Sequence, residues 1–291
     1  MKVRTAVFPV AGMGTRFLPA TKAVPKEMLP VVDRPIIQYA VEEAAAAGIE
    51  HVILVTAPQK RAIEEHFGEA PELESELLAR GKRELCDQVR QVLPRGMRLS
   101  SVFQDAPLGL GHAVLCAREA AGDEPFAVIL PDDLIAGARS ALEELLEAHE
   151  EHGASVVAVE RVPRDQTDRY GIVSAEPVRE QLHRMTAIVE KPKPEEAPSN
   201  LAVVGRYVLN PRIWSLLAGT PRGAGGEIQL TDAIAALLRE EPVMALEFSG
   251  SRYDCGSKLG YLQANVELAL RREDIGPEFS AYLKRILDSA P

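Results

Sequence analysis

The sequence predicts an α/β fold: a mixed, mostly parallel sheet flanked by helices, with a small antiparallel section and C-terminal helices. Three observations carry that prediction. Short apolar runs that suit buried strands alternate with helical patterns, which is the mark of βαβ units. The helical patterns close on glycine, the residue that ends helices in the left-handed region. After residue 160 the runs shorten, and proline-rich and charged loops separate them.

Taken in order, the buried-strand patterns are Val3 to Val10, His51 to Thr56, Leu99 to Gln104, Phe126 to Leu130 and Ser155 to Val159. Helical periodicity covers Pro35 to Ala47 before Gly48, Gln59 to Phe67 before Gly68, Gly111 to Ala121 before Gly122, and Ser140 to His152 before Gly153. Residues 71 to 93 carry many charges and few strong apolar positions, which predicts an extra helical segment on the surface. Gly171 to Ser174, Thr186 to Glu190 and Ala202 to Leu209 read as the antiparallel section, expected to cover one edge of the sheet. Residues 257 to 272 and 277 to 288 read as amphipathic helices, serving either to cap the fold or to meet another subunit.

The chain has 291 residues, enough for one large α/β domain or a main domain with an addition. We divide it into a main domain over 1–256, its first part to about 160 and its second over 161–256, and a C-terminal helical segment over 257–291. A formal net charge of −10 argues against a general nucleic-acid surface, although local positive charge still serves phosphates. No run of eighteen apolar residues and no signal-peptide pattern occurs, so a cytoplasmic protein without membrane association is expected. Cys86, Cys116 and Cys255 form no CxxC pair and read as buried, reduced thiols.

The stretch "AGMGTRFLPATKAVPKEMLPV", residues 11 to 31, leaves the first strand where an open α/β sheet binds ligands. Gly12 and Gly14 permit close backbone approach, and Arg16, Lys22 and Lys26 supply countercharge suited to phosphates. A dinucleotide fingerprint is excluded, because Phe17 stands where the third glycine belongs and Pro19 follows. Walker A is absent as well, since no GK[ST] occurs. Elsewhere, Gln104 offers a donor and an acceptor at a strand end. Asp132 and Asp133 follow an apolar strand, where hard carboxylate oxygens suit Mg²⁺ or a helix cap equally. Glu190 and Lys191 pair opposite charges at another strand end. The six histidines show no HExxH, and no GxSxG elbow is present.

The opening stretch resembles the G-x-G-T-R-x-x-P…P-K signature of the sugar-phosphate nucleotidyltransferases. In its full form it is similar to the bacterial uridylyltransferases acting on glucose 1-phosphate. Six further stations follow in order: "FQDAPLGLGHAVL" (103–115), "LPDD" (130–133), "RYGIV" (169–173), "VEKPKPEEAPSNLAVVGRYVL" (189–209), "GGEIQLTDAI" (225–234) and "YDCGSKLGYLQANVELAL" (253–270). The resemblance therefore covers nearly the whole chain and implies a Rossmann-like fold of GT-A type. It implies that Gln104, Gly109, Glu27 and the main chain near Ala11 and Gly12 hold uracil, with Gly14 and Thr15 beside the phosphates. Arg16 and Lys26 would serve the phosphates, while Asp132 and Asp254 would hold Mg²⁺; Asp133, where the family often has a hydrophobic residue, competes with Asp132 for the metal. Glu190, the main chain at Gly171 and Lys191 would take the sugar phosphate, joined by Asp133, Gly205, Glu227 and Gln229.

What the resemblance implies is uridylyl transfer from UTP to glucose 1-phosphate, giving UDP-glucose and pyrophosphate by a direct Mg²⁺-assisted in-line attack, in a homodimer or homotetramer. A thymidylyltransferase on the same architecture and a non-catalytic nucleotide-sugar-binding paralogue are the alternatives. The latter would be expected to lack a charged station, yet Arg16, Lys26, Asp132, Lys191 and Asp254 are all present.

Overall fold

The computed structural model describes residues 2–289; Met1, Ala290 and Pro291, at the outer ends of the 1–256 and 257–291 divisions, lie outside the described residues. The strands are β1 (Thr5–Pro9), β2 (Pro30–Val31), β3 (Arg34–Pro35), β4 (His51–Thr56), β5 (Arg98–Phe103), β6 (Phe126–Ile129), β7 (Asp133–Ala136), β8 (Ser155–Arg161), β9 (Gly171–Arg179), β10 (Leu182–Glu190), β11 (Leu201–Leu209), β12 (Val243–Glu247) and β13 (Ser251–Asp254). Nine form one sheet in the order β5-β4-β1-β6-β11-β8-β12-β10-β9, and β7 with β13 and β2 with β3 make two small antiparallel ribbons.

The alternation seen in the sequence becomes the two faces of this sheet. Val7, Ile53 and Val128 pack on one side and their neighbours Phe8, Leu54 and Ile129 on the other, so each strand feeds two cores at once. The helices Ile36–Ala46, Arg61–Phe67 and Ala141–His152 cover the second side; Leu110–Cys116, Ile213–Gly219 and Leu230–Leu237 cover the first. Ser140 caps the Ala141–His152 helix by accepting from the Glu143 N–H, and Gly153 ends it at φ 63°. The expected helix over 111–121 is two, Leu110–Cys116 and Arg118–Ala121, and the charged segment over 71–93 is two surface helices, Pro71–Ala79 and Arg83–Arg90.

The sheet is evenly mixed rather than mostly parallel. Parallel pairing holds in β5-β4-β1-β6 and between β8 and β12; the other pairings are antiparallel. The antiparallel section also does more than cover an edge. All nine residues of β11 are buried, because the strand runs through the middle of the sheet between β6 and β8. Near Val203 its register shifts and its outer neighbour changes from β9 to β6, which opens a fork in the sheet around Gly205.

The helix Lys258–Leu270 packs through small residues. Ala264 joins Val31, Ile36, Leu134, Tyr253 and Cys255 in one cluster, and a Cβ on Gly260 would stand 2.3 Å from the Asp254 carbonyl oxygen. Asn265 Oδ1 accepts from the Val32 N–H at 3.0 Å and Tyr261 donates to the Pro30 carbonyl at 2.6 Å, so the helix braces the start of the β2–β3 ribbon. Leu259 and Leu262 of this helix are exposed.

One buried histidine gives the fold a pH dependence. His51 accepts from Arg98 at Nδ1 (2.9 Å) and meets Ser100 Oγ through Nε2 (2.7 Å). Burial, then the Arg98 charge, holds its pKa below 6.5. Its contribution to stability is therefore present above pH 6.5 and is lost as pH falls through the lower folded value. The urea midpoint is expected to drop between about pH 7.5 and 5, and His51→Gln to flatten that drop. An unchanged slope in the variant would assign the acid sensitivity elsewhere.

Candidate active site

The loop after β1 folds into three short 3₁₀ turns, Thr15–Phe17, Ala20–Lys22 and Lys26–Met28. Gly14 makes this possible: its φ is 65°, and a Cβ there would stand 3.1 Å from Lys26 Cβ. Thr21 Oγ1 donates to the Gly14 carbonyl at 2.8 Å and holds the loop closed. The outcome is that Lys26, from a loop, reaches Asp132, just beyond β6, with Nζ 2.5 Å from Oδ2.

Asp132 is clasped by the residue that follows β13, because the Cys255 N–H donates to the Asp132 carbonyl at 2.7 Å. Asp254 closes β13, and its Oδ1 accepts from the Gly256 N–H at 3.0 Å. A Cβ on Gly256 would stand 2.9 Å from both Asp132 Oδ2 and Asp254 Oδ1 and 3.5 Å from Arg16 Nη1. Two carboxylates and a guanidinium therefore border one small space that a glycine leaves open. Burial disfavours the charges on Asp132 and Lys26, but their mutual attraction outweighs it, lowering the Asp132 pKa and raising that of Lys26. Cys255 lies in the same cluster, where burial and then three carboxylates push its thiol up to about 12, so it is no nucleophile.

The adjacent aspartate is used differently. Asp133 accepts from Arg252 Nη1 at 2.5 Å and from the Gly205 N–H at 2.8 Å, in the fork of the sheet. A Cβ on Gly205 would stand 2.7 Å from Asp133 Oδ2, so that glycine makes room for the aspartate. Burial raises the Asp133 pKa against the pull of Arg252. Two neighbouring carboxylates are thus pushed in opposite directions. Asp132 faces the Gly256 space, and Asp133 is committed to Arg252.

Arg252 also donates to Glu160 Oε1 (2.7 Å) and to the Tyr170 hydroxyl (3.0 Å). Tyr170 precedes Gly171, and its carbonyl accepts from the Lys191 N–H at 2.9 Å, which ties this network to a second group of residues. There Glu190 Oε2 accepts from Thr231 Oγ1 at 2.7 Å and Oε1 pairs with Lys191 Nζ at 3.0 Å. Lys191 takes a positive φ of 45°, uncommon outside glycine, and its side chain is half exposed. A Cβ on Gly171 would meet Thr231 Oγ1 at 3.1 Å and Glu190 Oε2 at 3.4 Å.

On the other side, Gln104 donates through Nε2 to the Gly109 carbonyl at 3.1 Å. Gly109 has φ 102°, and a Cβ on it would stand 2.7 Å from Glu227 Cβ. The segment around Glu227 and Gln229 lies against this loop, with Ile228 N–H donating to the Leu108 carbonyl (2.7 Å) and Gln229 Nε2 to Glu227 Oε2 (3.2 Å). Ala11 and Gly12 flank an open stretch, and a Cβ on Gly12 would meet nothing within 4 Å. Glu27 is buried; Lys60 Nζ donates to its Oε2 at 2.9 Å and to the Val10 carbonyl at 2.5 Å. Its Oε1 is buried with no hydrogen-bond partner among the described residues. Burial pushes the Glu27 carboxyl up and the Lys60 ammonium down, against their attraction for each other.

Four residues of this architecture escape sequence reasoning: Lys60, Arg206, Arg252 and Gly256. Arg206, fully buried, pairs with Glu43 (Nη2 to Oε2, 2.6 Å) and donates from Nη1 to the Leu130 carbonyl at 3.1 Å, steadying the approach to Asp132. Gly256 and Arg252 flank Asp254 in "RYDCG", and that adjacency was the available signal. Among the described residues no group of three or more His, Cys, Asp or Glu is placed to hold a metal, so a cation here would rest on two carboxylates and bound phosphate oxygens.

The geometry has counterparts in known proteins. The nucleotidyl transferase family model matches residues 6–271. The UTP–glucose-1-phosphate uridylyltransferase of Escherichia coli (strain K12) is 50% identical, over 97% of this chain and 96% of its own. A solved structure described as UTP-bound UGPase from Acinetobacter baumannii is 46% identical with a TM-score of 0.91, covering 99% of this chain and 100% of its own. A UDP-glucose pyrophosphorylase complexed with UDP-glucose is 41% identical with a TM-score of 0.85, covering 93% and 100%.

Proposed function

The chain belongs to the nucleotidyl transferase family, and from that membership we infer that it transfers a uridylyl group from UTP to α-D-glucose 1-phosphate, giving UDP-glucose and pyrophosphate. One observation carries the chemistry: Arg16, Lys26, Asp132 and Asp254 converge around Gly256, two cations and two carboxylates at the carboxyl end of the sheet. A sugar phosphate, with its second pKa near 6, arrives as a dianion and needs no general base. The barrier lies in repulsion between two polyanions and in charge developing on pyrophosphate, and positioned cations lower both.

In this reading the sugar phosphate attacks the α-phosphorus of UTP in line, and pyrophosphate leaves without a covalent enzyme intermediate. Arg16, exposed at the mouth of the loop, neutralises the leaving pyrophosphate. Lys26 holds phosphate oxygens, released in part from Asp132. Asp132 and Asp254 suit Mg²⁺, because both are hard oxygen ligands and Gly256 leaves space between them. When bound there, Mg²⁺ supplies charge neutralisation to the phosphates. Gln104, Gly109, Glu27 and the main chain at Ala11 and Gly12 take the base side, with Gly14 and Thr15 near the phosphates. Glu190, Gly171 and Lys191 take the sugar phosphate, with Glu227 and Gln229 closing the pocket; Gly205 and Asp133 act from beneath it.

These roles divide the main domain into a nucleotide part to about residue 160 and a sugar-phosphate part over 161–256. The 257–291 segment serves as the contact of a homodimer or homotetramer, a reading supported by exposed Leu259, Leu262 and Leu287 on its helices. No helix among the described residues is long and apolar enough to cross a membrane.

The assay is direct: purified protein, Mg²⁺ and glucose 1-phosphate, with UTP or dTTP in parallel, followed by pyrophosphate release. Turnover is expected with UTP in preference to dTTP and only with the divalent ion present. Faster turnover with dTTP would make it a thymidylyltransferase, and UTP binding without pyrophosphate release would make it a binding protein.

A further inference from the structure

Gln104 follows β5 and is almost fully buried, at 9% exposure, with its backbone N–H fixed on the Thr56 carbonyl at 2.9 Å. Its side-chain Nε2 stands 3.1 Å from the Gly109 carbonyl and 3.0 Å from His112 Nδ1. A carbonyl oxygen only accepts, so the amide NH₂ must face Gly109. The same NH₂ then donates to His112 Nδ1, which must carry its lone pair, with the ring proton on Nε2. Both amide hydrogens are used inside the protein. The side-chain oxygen Oε1 has no hydrogen-bond partner among the described residues.

Resting on the reading that Gln104 meets the base, this arrangement offers the nucleotide an acceptor and no donor. Uracil carries a hydrogen on N3 and matches it. Cytosine has a bare lone pair on N3, so two acceptors would face each other in a desolvated site. Turning the amide over would admit cytosine, and it would set Oε1 against the Gly109 carbonyl and His112 Nδ1 together.

We propose that His112 is a positioning residue for base selectivity: it accepts from Gln104 and keeps Oε1 turned toward pyrimidines that bear a hydrogen on N3. It sits near the start of the Leu110–Cys116 helix, which holds the imidazole against Gln104.

The test measures kcat/KM for UTP and for CTP, by pyrophosphate release, in the wild type, His112→Phe, His112→Gln and Gln104→Ala. The ratio is taken within each variant, so a loss of folded protein cancels. His112→Phe removes the acceptor, and the UTP:CTP ratio is expected to fall by about tenfold or more. His112→Gln offers a carbonyl in its place, so its ratio stays nearer the wild type. An unchanged ratio in His112→Phe, with a lost ratio in Gln104→Ala, overturns the role of His112 and leaves Gln104 as the base reader. A ratio unchanged in Gln104→Ala overturns the proposal at its premise. Equal losses in His112→Phe and His112→Gln overturn the acceptor account.

Discussion

Arg16→Ala is expected to lower kcat by on the order of 10² to 10³, with a smaller change in UTP affinity. The protein itself asks little of this side chain. Among the described residues its side chain makes one hydrogen bond, to the Gly256 carbonyl, long at 3.4 Å, and the residue is exposed. An arginine held that loosely contributes little to stability, so the variant should fold and keep its urea midpoint. Its guanidinium nevertheless stands beside the space shared by Asp132 and Asp254. Charge on departing pyrophosphate grows along the reaction, and a cation that meets it there acts on turnover more than on ground-state binding. Arg16→Lys should recover part of the rate, since a point charge replaces the planar fork without its paired donors. Steady-state kinetics with a separate UTP-binding measurement distinguish the cases. A kcat within a few fold of the wild type would remove Arg16 from the chemistry.

The sheet and the site differ in how far local sequence pattern reveals them. Val7 with Phe8 and Ile53 with Leu54 announce strands buried on both faces, because two-sided burial leaves a run of large apolar residues. The same kind of run in Ala202 to Leu209 announces burial and says nothing about which neighbours cause it. The place of β11 in mid-sheet depends on its pairing with β6 and β8, whose partners lie far away in the chain. The two aspartates show the limit at the site. Asp132 and Asp133 are chemically alike and adjacent, and what separates them is Lys26, which comes from the loop after β1, and Arg252, 119 residues away. Motif order locates the crevice; the assignment of one carboxylate to the open space and the other to an arginine needs the packing. Gln104 makes the same point, since its two hydrogen bonds decide which end of the amide remains free.

Gly256→Ala is expected to cut kcat/KM by on the order of 10² to 10³ while the fold survives. The backbone at Gly256 lies outside the left-handed region, so alanine meets no conformational strain there. What alanine meets is the site. Its Cβ would lie 2.9 Å from both Asp132 Oδ2 and Asp254 Oδ1, closer than carbon and oxygen tolerate, and the neighbours that must move are short side chains rather than main chain. Both carboxylates would swing aside, which is cheap for the fold. For the reaction it is costly, because the two oxygens that suit a divalent ion would no longer border a common space, and Lys26 would lose its fixed partner. The Mg²⁺ concentration for half-maximal rate should rise along with the loss of turnover, a coupling that a general packing defect would not produce. Gly219→Ala serves as the control: a Cβ there meets nothing within 4 Å, and its activity should match the wild type. Near-normal turnover in Gly256→Ala, with unchanged Mg²⁺ dependence, would show that the space bordered by Asp132, Asp254 and Arg16 is not where the reaction takes place.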